Sequence, residues 1–380
     1  MATATLTTLT PVHVGSGQKL LRNFDFIVED GRVGFIDLEK VVAIIGIEQI
    51  AQLTAVIEKR GSLVDFLRKG RGLTNVKLED ICYRIASQKA SGSVANELKE
   101  QYHTLLKGAC IPGSSLKGAI KTFLWQKSAT DDFLQSLRIE DFKNKRGKWD
   151  SENIDKKLFG QNANEKVTRF LKIGDVHFEV PKTGVYEVGI YNKQFTSWAF
   201  KEGQYFLAEC LPIGLNGYFE FKIDGKWMNK NIEKHPEKWK KNATYNLNKT
   251  SYDFLKDLNT YTLDMLDAEI KELEGEGFAN DNVGNTMLDN LDKVFKLGDN
   301  IERTQEPSAI VRLGGNSGWT FMTGNWINSV PTNVIDENNF TSIRKTIQRN
   351  KQYDMNLWPK TRKMTTKGMP LGFVKITIQP

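Results

Sequence analysis

The sequence predicts an α+β protein built from two tandem ferredoxin-like domains with helical insertions. Three observations predict this class: an apolar/Thr alternation near the start, a short hairpin pattern after it, and strand patterns that return in the second half beside a long helical stretch. Two β-α-β-β-α-β units satisfy this order of elements, although the halves show no residue-level repeat. We expect the first domain over residues 1–195, with an insertion at about 126–169, and the second over residues 196–380.

The first strand is predicted at residues 6–14, and it ends in a loop at 14–17 with two glycines. Residues 24–28 and 33–36 flank Asp30-Gly31, a pair typical of a hairpin with a type I′ turn. The remaining elements follow in chain order: a helical stretch at 38–69, a mixed, helix-leaning stretch at 71–110, a helix after 113, a polar insertion or mobile segment at 126–169, strands at 170–178, 185–191, 204–212 and 217–223, a helix at 253–274 and a final strand at 372–378.

The composition is that of a globular protein, with 39% hydrophobic and 26% charged residues. No apolar run has the length of a membrane span, and the first ten residues lack the order of a signal peptide. Cys82, Cys110 and Cys210 are too far apart for a metal-ligand motif and give no disulfide framework. We therefore expect a cytoplasmic protein without a cofactor, a metal or a membrane contact.

Charge is distributed unevenly along the chain, whose net charge is +7. The last forty residues contain nine Lys/Arg and one acid, Asp354, whereas residues 261–300 contain ten acids and three lysines. The basic end indicates a polyanion as partner. The acidic segment is read either as a solvated helix face or as a contact for another protein.

The stretch at 111–122, IPGSSLKGAIKT, is the most informative motif. Pro112-Gly113 indicates a turn, and Ser114 or Ser115 is suited to cap the helix that follows. Lys117 and Lys121 lie four residues apart and so on one helical face. A helix start with free N–H groups beside two lysines favours a phosphate as ligand. The structural alternative is a capped surface helix with two solvated lysines.

A second motif is glycine-rich and contains Gly314, Gly315, Asn316 and Gly318 between Arg312 and Trp319. Exposed backbone amides and an arginine hold phosphates, and an indole stacks on an unpaired base. The motif is neither a Walker A loop nor a dinucleotide-binding fingerprint. The alternative is a tight loop between two elements with Trp319 in the core.

His13 and Asp25 are the only residues near the first glycine pair that suggest catalysis. His13 precedes Gly15, Ser16 and Gly17, and Asp25 lies in the first hairpin. A lone histidine is more often structural, and Asp25 is more simply an ordinary strand-edge acid. Phosphate binding is thus indicated more strongly than catalysis.

Near the basic end, Pro359 predicts an extended segment around Trp358 to Lys363. Lys360, Arg362 and Lys363 are placed to follow a nucleic-acid backbone. The alternative is a solvated run of charges before the last strand.

The four motifs together resemble the RAMP superfamily of CRISPR-associated proteins. The resemblance is carried by Thr10-Pro11-Val12-His13-Val14-Gly15-Ser16-Gly17, by the 111–122 motif, by the 312–319 loop, and by Trp358-Pro359-Lys360-Thr361-Arg362 with Pro370-Leu371-Gly372-Phe373-Val374. Their order over nearly the full chain looks like the fifth Csm family of type III-A effector complexes. Residues 126–169 and 225–300 carry no matching motif.

The resemblance implies two RRM-like RAMP domains that hold the 3′ portion of the crRNA and so meet target RNA only indirectly. It also implies contacts with a neighbouring backbone RAMP subunit and a small helical subunit, and crRNA maturation through recruited host nucleases rather than through cutting. Backbone RAMP subunits cleave target RNA with a loop aspartate. The setting of Asp25, Asn23-Phe24-Asp25-Phe26, looks like a strand, so we do not assign cleavage to it.

Three hypotheses follow. In the first, the chain is a non-catalytic crRNA-binding subunit whose contacts are His13, Gly15, Ser16, Gly17, Gly113, Ser114, Ser115, Lys117, Lys121, Arg312, Gly314, Gly315, Asn316, Trp319, Lys360 and Arg362. In the second, it is an endoribonuclease, with His13 as general acid/base or Asp25 as a Mg²⁺-dependent residue. In the third, it is an assembly scaffold that contacts partners through residues 261–300.

Overall fold

The structure is a computed structural model. It describes residues 2–59, 61–90, 95–105, 108–142, 146–147, 152–162, 164–179, 182–194, 197–236, 247, 249–275, 277–318, 320–321 and 361–379. The fold is mixed α+β, as the sequence predicts. Its strands are β1 (Ala2–Thr8), β2 (Gly15–Leu21), β3 (Phe26–Glu29), β4 (Arg32–Ile36), β5 (Cys82–Gln88), β6 (Glu97–Gln101), β7 (His103–Thr104), β8 (Gly108–Ile111), β9 (Leu171–Ile173), β10 (Val176–Phe178), β11 (Gly184–Gln194), β12 (Ser197–Cys210), β13 (Asn216–Ile223), β14 (Ser308–Arg312), β15 (Thr361–Thr365) and β16 (Phe373–Ile378).

The helices lie in three stretches between these strands. They are α1 (Leu38–Ile45), α2 (Ile50–Glu58), α3 (Leu63–Asp65), α4 (Leu78–Ile81), α5 (Gly113–Ser128), α6 (Asp131–Ser136), α7 (Glu152–Phe159), α8 (Gly225–Lys234), α9 (Ser251–Gly275) and α10 (Asn282–Thr304). Short 3₁₀ turns cover Ile47–Gln49, Ile139–Phe142, Val167–Phe170 and Phe278–Asn280, and a π turn covers Phe66–Gly70.

Two eight-stranded sheets form within the described residues. The first has the order β14-β16-β1-β13-β10-β8-β7, with β9 beside β13, and the second has the order β2-β6-β12-β11-β5-β4-β3, with β15 beside β11. Each sheet takes strands from both sides of residue 195. The predicted boundary falls between β11 and β12, which pair with each other, so it does not separate the sheets.

Local signals explain several element boundaries. The hairpin of β3 and β4 turns at Asp30 and Gly31, whose φ angles of 47° and 72° confirm the predicted type I′ turn. The carboxylate of Asp37 caps α1 by accepting the amides of Glu39 and Lys40. Asp281 caps α10 by accepting the Gly284 amide at 2.7 Å.

The largest core lies between the first sheet and helices α5 and α9. The apolar face predicted for α5 is confirmed: Leu116, Ile120 and Phe123 are fully buried, and the Phe123 ring meets Phe254 of α9 edge-on at 5.7 Å. Helices α1 to α4 bury a separate apolar cluster against β3, β4 and β5. Both arrangements follow from elements that are apolar on one side only.

Two stretches differ from prediction. Residues 71–110 contain the short helix α4 and the strands β5 to β8 rather than mainly helices, because β5, β6 and β8 pair with strands distant in sequence. The 126–169 insertion is helical in its described part, and it packs on the core through buried Ile154, Leu158 and Phe159. Trp125 anchors it by donating from Nε1 to Asp155 at 3.3 Å.

No single described helix has the length and hydropathy of a membrane span. The helix over Leu38–Ile45 and the one over Ile47–Glu58 meet those criteria only as a pair, and they are bent by 103° relative to each other.

Candidate functional site

Three of the predicted motifs come together at one place between the sheets. The carbonyl oxygen of His13 accepts the amide of Gly315 at 3.3 Å, and the carbonyl oxygen of Pro11 accepts the amide of Gly372 at 2.9 Å. Leu313 in turn donates its amide to Gly372 at 2.8 Å. The segment between β1 and β2, the glycine loop after β14 and the approach to β16 therefore form a single backbone assembly, which we call the glycine junction.

Glycine is required at two positions of this junction. Gly314 has a φ of +95°, and a Cβ there would lie 2.4 Å from the carbonyl oxygen of His13. Gly372 has a φ of +94°, and its Cβ would lie 2.1 Å from the carbonyl oxygen of Leu313. A side chain would separate the segments at either position. Gly315 differs, because it is exposed and its Cβ direction is open.

His13 stabilises the junction from inside. Its side chain is 5% exposed, and Nδ1 donates to the carbonyl oxygen of Glu209 at 2.7 Å. Burial lowers the pKa of His13 and outweighs the hydrogen bond to Glu209, so the ring is neutral at pH 7. A buried, neutral ring tied to the backbone fits a positioning role better than that of a general acid/base.

Gly15, Ser16 and Gly17 do not form the predicted loop. They begin β2, where the register with β6 shifts between Gly15 and Lys19. Ser16 donates to Glu100 at 2.9 Å, whereas Gly17 is exposed, has a φ of +91° and faces open space. The irregular strand start still presents backbone at Gly15 and Gly17 to solvent, which is what contact with a polymer backbone requires.

The start of α5 is capped differently from the prediction. Neither Ser114 nor Ser115 accepts a capping bond; instead the amide of Gly113 donates to the carboxylate of Asp175 at 2.7 Å. A Cβ on Gly113 would lie 2.4 Å from the carbonyl oxygen of Ile173, so glycine fits here for steric reasons. The acid already occupies one of the helix donors, which makes this end less open to a second anion.

The two lysines of α5 have different roles. Lys121 forms an ion pair with Asp155, which also receives Lys166 at 2.7 Å, so Lys121 holds the insertion rather than a ligand. Lys117 is half-buried, and burial followed by the charge of Lys121 lowers its pKa. Among the described residues Lys117 has no ion pair, so it stays a phosphate contact by prediction.

The predicted phosphate contacts Arg312 and Arg362 are instead buried, at 4% and 3% exposure. Both bind Glu269 of α9: Arg362 donates from Nε at 3.0 Å and Arg312 from Nη1 at 3.4 Å. Arg312 also stacks 4.6 Å from the centroid of Phe373. Their charge is therefore used within the core, and direct phosphate binding by these two side chains is wrong for this structure.

Asn316 is buried as well, at 4% exposure, so the exposed Gly315 is the better contact in this loop. Trp319 and Lys360 lie outside the described residues. Asp25 lies in a turn rather than a strand, and its carboxylate accepts the amide of Leu21 at 2.7 Å. No group of three His, Cys, Asp or Glu side chains suited to a metal occurs in the described ranges.

Sequence reasoning missed two residues that position the junction. Glu209 is fully buried and receives Arg84, Thr183 at 2.6 Å and the Gln101 amide at 3.2 Å. Burial raises the pKa of Glu209, but bonds from His103, Arg84 and Thr183 outweigh it and leave the pKa below its usual value. A lone acid inside the apolar run Phe-Leu-Ala-Glu-Cys-Leu was the available signal.

Gln101, the second missed residue, connects the junction to α5. Its Oε1 accepts the Val14 amide at 2.9 Å and its Nε2 donates to the Cys110 carbonyl at 3.1 Å. Cys110 lies on β8, which leads directly into α5. The segment at 10–17 and the 111–122 motif are thus linked through the buried side chain of Gln101.

Comparison with known proteins identifies a family whose model matches this chain. The family model of the RAMP superfamily matches residues 5–321. A curated relative from Methanocaldococcus jannaschii, named CRISPR system Cms protein Csm5, is 24% identical over 281 residues, which is 70% of this chain and 62% of the relative. This chain therefore spans less than two thirds of that relative's length.

Two solved structures share the fold. The crystal structure of T. onnurineus Csm5 matches with a TM-score of 0.61 and 17% identity over 97% of this chain and 99% of that one. A chain in the cryo-EM structure of a type III-A Csm-crRNA-target RNA ternary complex matches with a TM-score of 0.68 and 16% identity over 100% of both chains.

Proposed function

This chain belongs to the RAMP superfamily, and on that basis we propose that it is a non-catalytic crRNA-binding subunit of a cytoplasmic type III-A Csm effector complex. In this proposal it caps the 3′ end of the crRNA and supports crRNA maturation and assembly. Its organisation as two ferredoxin-like units is part of the same proposal. Support comes from the curated relative named Csm5 and from the fold shared with a chain of a Csm-crRNA-target RNA complex.

The observation that carries the proposal is the glycine junction. Exposed backbone at Gly15, Gly17 and Gly315 is gathered from two distant parts of the chain. Backbone that carries no side chain allows a phosphodiester to approach closely, and backbone contacts fix an RNA without reading its sequence. That property suits a subunit that must hold crRNAs of many sequences.

Partners are proposed on the same basis. We assign the neighbouring backbone RAMP subunit, the small helical subunit and recruited host nucleases to surfaces away from the junction. Helices α9 and α10 carry exposed acids that include Asp264 and Asp289. This acidic surface is unsuited to RNA and suited to a basic protein partner. Target RNA is reached only through the crRNA.

Ultraviolet crosslinking of bound crRNA, followed by peptide mapping, tests the RNA contact directly. We expect crosslinked peptides to contain residues 13–19 and 312–318. Crosslinks confined to α9 and α10 would contradict the proposal.

A substitution tests the lysine contact. Lys117→Glu should weaken crRNA retention. The matched control is Lys127→Glu, because Lys127 is an exposed lysine on the same helix.

The alternative, an endoribonuclease, makes a different prediction. His13 is buried and Asp25 already accepts a backbone amide, so neither is arranged for attack on RNA. Labelled repeat RNA incubated with the purified chain, with and without EDTA, should stay intact. Cleavage that depends on His13 or on a divalent metal would favour the alternative.

A further inference from the structure

A row of three lysines crosses one face of the second sheet. Lys19 of β2 lies directly opposite Lys99 of β6, and Lys99 lies opposite Ala208 of β12. Lys363 of β15 lies opposite Ile190 of β11. Side chains directly opposite each other in neighbouring strands lie on the same face. Because side chains alternate between the two faces along β12 and β11, Ala208 and Ile190 lie on the same face of the sheet. The three lysines therefore lie on that face as well.

An aromatic ring holds the middle lysine. The Nζ atom of Lys99 lies 3.6 Å from the ring centroid of Phe206, which is two residues before Ala208 on the same face of β12. Phe206 is only partly buried and lies opposite Val188 of β11. A cation over an aromatic face is attracted by the ring quadrupole, so the Lys99 amine is held near the sheet surface instead of extending freely into solvent.

The charges in this row are poorly balanced. Burial, followed by the charges of Lys363 and Lys19, lowers the pKa of Lys99. Lys19 pairs with Glu97 at 3.1 Å, whereas in the part of the chain that the structure describes neither Lys99 nor Lys363 has an ion pair. Three lysines with one acid, Glu97, keep an excess of positive charge, and an anion that binds between them relieves the repulsion.

We propose that Lys19, Lys99 and Lys363 form a binding site for the backbone phosphates of single-stranded RNA, with Phe206 as the residue that positions Lys99. This inference rests on the proposed function and extends it along the sheet. The row is continuous with the glycine junction, because Lys19 lies four residues after Gly15 on the same strand. A polymer that leaves the exposed glycine backbone at Gly15 and Gly17 therefore meets Lys19 further along the same strand.

The test is fluorescence anisotropy with the full-length chain and a labelled single-stranded RNA at several salt concentrations. The double variant Lys99→Met/Lys363→Met removes two charges and keeps two unbranched apolar stems. We expect about tenfold weaker binding and a salt slope reduced by about 1.4, since each phosphate contact on a single strand contributes about 0.7. Lys271→Met/Lys296→Met, on the acidic helices, changes the same charge and should leave both values unchanged.

The variant Phe206→Leu tests the positioning role of Phe206 separately from the charge of the lysines. Both amines remain, so the salt slope should stay at the wild-type value while affinity falls about two- to fivefold. Circular dichroism at each step verifies that the variants are folded. An unchanged affinity after Phe206→Leu would overturn the positioning role.

The possible failures are distinguishable. Wild-type protein that does not bind RNA would contradict the proposed function and this extension with it. Wild-type binding combined with an unchanged slope in the folded double variant would overturn the lysine site alone. If the double variant loses a co-purifying protein subunit but keeps its RNA affinity and slope, the face is a protein contact and the proposal is wrong.

Discussion

The carbonyl oxygen of His13 accepts a hydrogen bond from the amide of Gly315 at 3.3 Å. The loop after β14 thereby closes against the segment between β1 and β2. The neighbouring Gly314 makes this approach geometrically feasible, because any Cβ would contact the same oxygen. The hydrogen bond between Gly315 and His13 therefore depends on Gly314, which is neither its donor nor its acceptor.

Gly314→Ala should destabilise the protein by about 1–3 kcal/mol, because it combines a positive φ with a steric contact at 2.4 Å. RNA affinity should fall with it, since the junction opens. Gly315→Ala is the control: its Cβ direction is open, and the change should stay within about 0.5 kcal/mol. Urea unfolding measures both. Equal stability of the two variants would show that the junction does not constrain the fold.

Glu269→Gln should cost about 3–5 kcal/mol, because it leaves the buried Arg312 without a counter-charge and leaves the buried Arg362 with only the partly exposed Glu272. Glu272 also binds Arg362, at 3.2 Å, but its side chain is 37% exposed. Glu272→Gln should therefore cost less than about 1 kcal/mol. Thermal unfolding of the two variants side by side checks the ranking, and a reversed order would contradict the assignment of the buried charges.

Asp155 should contribute stability that depends on pH. Burial raises its pKa, but bonds from Lys121 and Lys166 outweigh this and hold the pKa below its ordinary 3.8. A carboxylate with a lowered native pKa stabilises the fold above the unfolded pKa and loses that contribution as pH falls through the native pKa. The stability difference between wild type and Asp155→Asn should thus be constant above about pH 5 and shrink below about pH 4. A difference that does not change with pH would exclude this ion pair as the cause.

Two glycines of α5 should respond in opposite ways. At Gly118 a Cβ meets nothing within 4 Å, so Gly118→Ala should stabilise the helix by about 0.5–1 kcal/mol. At Gly113 a Cβ would meet the carbonyl oxygen of Ile173, so Gly113→Ala should destabilise it. Chemical denaturation of both variants measures whether each substitution raises or lowers the free energy of unfolding. A gain for both substitutions would mean that β9 does not pack against the helix start as described.

Local patterns were the predictable part of this fold. The turn at Asp30-Gly31 and the buried face that includes Leu116 and Phe123 depend on neighbours in sequence, and both are confirmed. The cap of α5 was mispredicted, because its carboxylate comes from Asp175, beyond the whole insertion. Strands β5, β6 and β8 were missed for the same reason, since they pair with β11, β12 and β10, which lie far away in sequence.

The glycine motifs mark segments that meet in the junction, because glycine is the residue that allows positive φ angles and close backbone approaches. That these segments meet was not predicted, and their contacts with RNA stay a prediction. Arg312 and Arg362 looked like phosphate contacts, because a sequence does not reveal that Glu269 lies between them. Lys363 was indicated by its basic neighbourhood, whereas Lys99 gave no signal until Phe206 was placed beneath it.

Strand β1 lies inside the first sheet, between β13 and β16. During synthesis β1 is translated before both partners, and β13 is available long before β16. At about 5–20 residues per second the wait for β16 is on the order of tens of seconds, during which the edge of β1 that pairs with β16 stays unpaired. We therefore expect truncation before β16 to give aggregated rather than partly active protein, so chaperone supply during expression should limit the yield more than the final stability does.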